Sequence, residues 1–89
     1  DISQFQAGLR RIRNKGTLCR DLSAKEDFDL MVISFHESHT LGHRLWNYQK
    51  EYSPPNALTN AISEIYSTID GEIGTIVDSL PADSNLFLI

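Results

Sequence analysis

Three histidines and one carboxylate fall within a single eight-residue stretch of this 89-residue chain, His36-Glu37-Ser38-His39-Thr40-Leu41-Gly42-His43. No other histidine occurs in the sequence. Imidazole nitrogens and carboxylate oxygens are the donors that zinc and similar divalent ions take. His39 and His43 are four residues apart, so one turn of helix would set both on the same face. His36 and Glu37 would approach from the extended side. Two imidazoles supply at most half of a four-ligand site, and a closed site would need donors from elsewhere. The zinc-protease helix motif fits poorly, because Thr40 stands where its glutamate base belongs. A bland reading has equal weight: the three rings are exposed, or they satisfy backbone groups, since short His-rich tracts only suggest metal binding.

Other chemistry-bearing groups are weaker. No glycine-rich phosphate loop is present: Gly71 and Gly74 lie inside a helical pattern, where close packing is the expected reason for them. Ser34 and Ser38 are near the histidines, but no pattern marks either as a nucleophile. Trp46, Tyr48 and Tyr52 could line a substrate mouth; packing beneath a loop is preferred, given the area aromatic rings bury. Asp70 and Glu72 read as solvent-facing helix charges. The one cysteine, Cys19, cannot form an internal disulfide, which excludes a disulfide-stapled miniprotein.

The elements that must position these groups follow from periodicity. Ile2, Phe5, Leu9 and Ile12 repeat at three and four, the mark of an amphipathic helix. Leu18, Cys19 and Leu22 extend it to about Ser23 through Gly16, which is either a tolerated interior glycine or a C-terminal cap. Phe28 to Phe35 is a near-continuous apolar run with β-formers at its centre, as in a strand covered on both faces. His36 to Asn56 reads as a long loop with one short helical turn. Leu58, Ala61, Ile62, Ile65, Ile69, Ile73, Ile76, Val77 and Leu80 form the clearest helical stripe. Ser53-Pro54-Pro55-Asn56 starts it and Pro81 stops it. Leu86 to Ile89 begins a second apolar strand. Helix, strand, loop, helix, strand predicts an α/β fold with two parallel strands joined by a right-handed crossover. Two strands cannot complete such a sheet. The expectation is therefore that residues 1–89 form one segment of a larger three-layer αβα sandwich.

Composition sets outer limits. An apolar share of 40% with 22% charged residues is globular rather than disordered. No apolar run approaches the ~20 residues of a membrane helix, so no membrane partner is expected. The net charge of −4 is divided unevenly. Residues 1–26 hold six bases (Arg10, Arg11, Arg13, Lys15, Arg20 and Lys25) and three acids, whereas the remainder holds two bases and nine acids. Basic residues on a helix can meet nucleic acid. Here they alternate with apolar positions and have no aromatic stacking surface, so a solvated helix face is preferred and nucleic acid is not expected as a partner.

The string Asp29-Leu30-Met31-Val32-Ile33-Ser34-Phe35-x-Glu37-Ser38-His39-x-x-Gly42-His43-x-x-Trp46 resembles the alkaline phosphatase superfamily. The likeness is to its type I phosphodiesterase, nucleotide pyrophosphatase and sulfatase-like branch, where a buried strand ends in an acidic loop with an Asp-x-x-Gly-His signature. Ile65-Tyr66-x-x-Ile69-Asp70-x-x-Ile73-Gly74 through Leu80-Pro81-x-Asp83-Ser84 is similar to the helix that follows. The resemblance spans about residues 20–89 and rests on the order of the motifs. It implies two metal ions, usually zinc, with a Thr or Ser nucleophile attacking phosphorus or sulfur. By position His43 matches a metal-binding histidine. His39 stands where the family usually has a metal-binding aspartate, a change that keeps a donor but removes a negative charge. Glu37 would restore that charge, directly or as a partner to a ligand imidazole. The nucleophile and the second metal site would lie in the remainder of a parent chain.

The function expected on these grounds is part of a metal-dependent hydrolase of phosphate esters, phosphodiesters or sulfate esters. Its metal ligands would be His39, His43 and Glu37, its cofactor a divalent ion such as zinc, and its partners a small ester substrate and the remainder of the parent chain. This segment alone would be inactive. The rival expectation is a non-catalytic binding or structural α/β piece with a packing or adventitious histidine cluster.

Overall fold

Three helices form around one buried stripe each. A computed structural model describes all 89 residues, with α1 at Ile2–Lys25, α2 at Glu37–Leu45 and α3 at Ala61–Ser79. A turn of 3-10 helix, Trp46–Tyr48, extends α2. Phe5, Leu9 and Ile12 of α1 meet Leu41 and Leu45 of α2, and Leu58, Ala61 and Ile65 close the core. Phe35, Tyr48, Ile62 and Ile69 pack on its rim. The assembly is elongated, 48 × 21 × 17 Å, because α1 and α3 are long and the core occupies only their crossing with α2.

The α1 stripe explains its unbroken length. Its buried positions are Phe5, Gly8, Leu9, Ile12, Gly16 and Cys19, three or four apart as an amphipathic helix requires. Gly16 is an interior residue of this helix, not its cap. A Cβ there would run into the Glu72 carboxylate of α3, and one on Gly8 would run into Leu41 Cδ1 of α2. These two glycines are contact points between helices. Gly71 and Gly74 are not: open space surrounds the position a Cβ would take on either, which corrects the packing role expected for them. Ile2, Leu18 and Leu22, expected on the buried stripe, are exposed.

The α/β expectation is overturned, and with it the three-layer sandwich and its parallel strands: no strand forms anywhere in the chain. Phe28 to Phe35 is non-helical, but its backbone makes no backbone–backbone hydrogen bond. It lies along α1 in reverse direction, with Met31 Sδ 3.3 Å from Cys19 Sγ and the Ser34 carbonyl 3.1 Å from Lys15 Nζ. Met31 and Phe35 are half-buried, while Leu30 and Val32 are 79% and 83% exposed. Ile33, between Met31 and Phe35, is also exposed, so the segment is extended without a strand's alternation, and a strand also needs a ladder partner. Leu86 to Ile89, the other expected strand, is exposed and likewise unpaired.

The His36–Asn56 region is more ordered than a loop, since Glu37, Leu41 and Leu45 supply a buried stripe at a spacing of four. Helix α3 starts three residues later than the apolar pattern suggested. Asn56 Oδ1 accepts from the Leu58 amide at 2.8 Å, and Leu58 carbonyl accepts from Ala61, so Leu58 joins the core from a turn. Leu80 caps α3 in an extended conformation ahead of Pro81. Leu45 is fully buried and Val32 largely exposed. Leu45→Ala should therefore cost about 2–5 kcal/mol, and Val32→Ala less than about 0.5 kcal/mol, in denaturant unfolding.

Candidate functional site

Helix α2 sorts the predicted ligands onto different faces. At 100° per residue, Glu37 lies one turn before Leu41 and two before Leu45, on the core side. His39 is 200° from Glu37 and points away from it. The outcome is two separate groups. His39 and His43 are exposed and stand edge to face, ring centroids 4.7 Å apart and planes at 89°. Glu37 is buried at 5% exposure and pairs with Lys15 of α1, Oε1 to Nζ 2.7 Å. No cluster of three or more His, Cys, Asp or Glu side chains is placed to hold one ion.

The histidine pair could supply at most two of the four donors of a zinc site, and its edge-to-face geometry is also that of ordinary ring packing. Glu37 does not fit as the third donor, because its carboxylate is on the opposite face and already neutralised by Lys15. His36 also stands apart: it occupies the N-cap position of α2, and its Nε2 lies 3.1 Å from Ser34 Oγ.

Lys15 is the residue that sequence spacing did not single out for this region. Its ammonium donates to the Ser34 carbonyl at 3.1 Å, pairs with Glu37 and lies 5.8 Å from the centroid of the Phe35 ring. One cation thus fastens α1, the extended segment and the first turn of α2 together. Glu37 also complements the positive N-terminal end of the α2 dipole. Its second oxygen, Oε2, is buried without a hydrogen-bond partner. The signal for this arrangement was present in the Glu37, Leu41, Leu45 spacing, which puts the carboxylate on an apolar stripe.

The remaining candidates are dispersed. Trp46 and Tyr52 are exposed, with rings 6.4 Å apart and tilted at 36°. Tyr48 is half-buried and donates to the Asp1 carboxylate at 2.5 Å. It lines a cavity of about 540 Å³ near the start of α1 that contains no histidine. Glu72 is not a free surface charge: it lies 3.5 Å from Arg20, which also donates to Thr75 at 2.5 Å, tying α1 to α3. Desolvation by burial pushes the Cys19 thiol up, against the lowering effects of Ser23 and Arg20. No helix is long and apolar enough to cross a membrane. Comparisons with family models, characterised proteins and solved structures find no match to this chain.

The Lys15–Glu37 pair and the buried Cys19 thiol each lead to a measurable outcome. Lys15→Met leaves the Glu37 carboxylate buried without its counter-charge, and unfolding should show a loss of about 1–3 kcal/mol. The double variant Lys15→Met/Glu37→Leu should recover most of it. Cys19, held as the neutral thiol, should react slowly with iodoacetamide at neutral pH and rapidly once the chain is unfolded. Because its folded pKa is raised, its contribution to stability is constant below the ordinary thiol pKa and declines as pH rises through that value.

Proposed function

We propose that this chain supplies His39 and His43 as two ligands of one divalent-metal site, zinc being the expected ion, in a hydrolase of phosphate esters, phosphodiesters or sulfate esters. The observation that carries the reading is the imidazole pair, exposed together on one turn of helix with ring centroids 4.7 Å apart. The reaction class comes from the likeness of the His39-x-x-Gly42-His43 stretch to the alkaline phosphatase superfamily, a likeness of sequence alone, since the strands it implies on either side do not form. The remaining coordination positions and the nucleophile would come from groups outside this pair. Glu37 acts from beneath, setting the first turn of α2 through Lys15 rather than binding the ion.

A second reading rests on the same rings. An edge-to-face pair contributes about 0.5–1.5 kcal/mol as packing alone, and a non-catalytic binding or structural piece would require nothing more of it. The two readings diverge on removal of the pair. In the full-length protein, His39→Ala/His43→Ala should abolish stoichiometric zinc and lower ester hydrolysis by more than the ~10–100-fold that loss of a ligand's outer partner costs. Unchanged metal content and turnover, with only a small loss of stability, would assign the pair to packing.

A further inference from the structure

The cleft between α1 and α2 has a chemistry distinct from the histidine face. It is a half-open groove of about 190 Å³ lined by Gln4, Arg11, Thr40, Leu41 and Arg44. Four of these five side chains can donate hydrogen bonds, and none is an acid. Neither arginine takes part in either ion pair of the fold, Lys15–Glu37 or Arg20–Glu72. None of the four polar side chains has a side-chain hydrogen-bond partner within the chain. Two arginines without an ion-pair partner therefore line one concave site, in a chain whose net charge is −4.

The helix crossing builds this cleft. Gly8 lets Leu41 of α2 come against α1, since a Cβ there would occupy the place of Leu41 Cδ1. Arg11 Nη2 is 3.8 Å from that same position, so the guanidinium lies at the crossing. Arg44 is one turn beyond Thr40 and reaches the cleft from the other helix.

We infer that this cleft binds a tetrahedral oxyanion, a phosphate or sulfate group, between Arg11 and Arg44, with Thr40 and Gln4 donating to the remaining oxygens. Guanidinium forks match such oxygens in pairs, and these charge-assisted bonds are stronger than neutral ones. A water's share of the liquid is about 30 Å³, so the cleft admits an oxyanion with solvent to spare. Thr40 and Arg44 directly follow His39 and His43, so the bound group would lie about 100° round α2 from the imidazoles. The site stands independently of the metal reading, because none of its donors is a histidine.

The test is a titration of the full chain with inorganic phosphate, at ionic strength held constant with sodium chloride and followed by proton–nitrogen NMR. Saturable shifts should centre on the amides of Thr40, Leu41 and Arg44, and inorganic sulfate should compete for them. Arg11→Gln and Arg44→Gln, both exposed positions, should each weaken phosphate about tenfold while leaving the circular dichroism unchanged. Phosphate binding should survive His39→Ala/His43→Ala, which separates this site from the metal proposal. Shifts no larger than those with chloride, unchanged affinity in both arginine variants, or loss of binding in the histidine variant would each overturn the assignment. So would displacement of phosphate by a duplex oligonucleotide with steep salt dependence, which would make the cleft part of a nucleic-acid face.

Discussion

Ile12, Leu45 and Ile65, one residue from each helix, are the most completely buried large side chains of the fold, and their meeting fixes everything that could be functional. Apolar burial of this kind is non-directional, but interiors are close-packed, so the three side chains allow few relative placements. With Leu45 and Leu41 turned inward, the angular step of the helix decides the remaining α2 positions. Glu37 follows the leucines inward. Thr40 and Arg44 fall beside α1, and His39 and His43 face solvent. A short helix of nine residues has little intrinsic stability of its own. The chemistry displayed on its outer faces depends on the anchoring of its inner one.

The inward carboxylate makes that anchoring directional. Burying Glu37 among apolar side chains would be expensive without Lys15, because an isolated charge loses its hydration on burial. The pair is asymmetric: Glu37 is almost enclosed, whereas the Lys15 side chain is 36% exposed. The ammonium keeps contact with water while its donors reach Glu37 and the Ser34 carbonyl. That arrangement reduces the desolvation cost relative to a fully buried pair. It also gives α2 a defined start, since the cation meets the chain on both sides of His36.

Helices α1 and α3 were legible in the sequence because their signal is local, whereas α2 read as loop because its buried stripe is only Glu37, Leu41 and Leu45. A stripe at three and four needs only a neighbouring apolar surface, and α1 and α3 found each other. The extended segments were misread because a strand is defined by its partner. Phe28 to Phe35 turns only Met31 and Phe35 inward, with Leu30, Val32 and Ile33 outward, and it lies against a helix. Val32 and Ile33 have β propensity, yet that measures fit to a pleated neighbour rather than an intrinsic conformation. Leu86 to Ile89 has no partner of either kind.

The candidate site was legible in part for the same reason. The pairing of His39 with His43 depends on one turn of helix, and spacing alone gives it. The separation of Glu37 from them also follows from spacing, but only once Leu41 and Leu45 are recognised as the inward face. Lys15 could not be found this way, because it lies 22 positions from Glu37 in the sequence and reaches it only through the crossing of α1 and α2. Arg11 and Arg44 are farther apart still, and charge patterning alone puts Arg11 on a solvated helix face. Residues that act from a single helix could be read from the chain; those that act across the crossing required Gly8 to bring the two helices into contact.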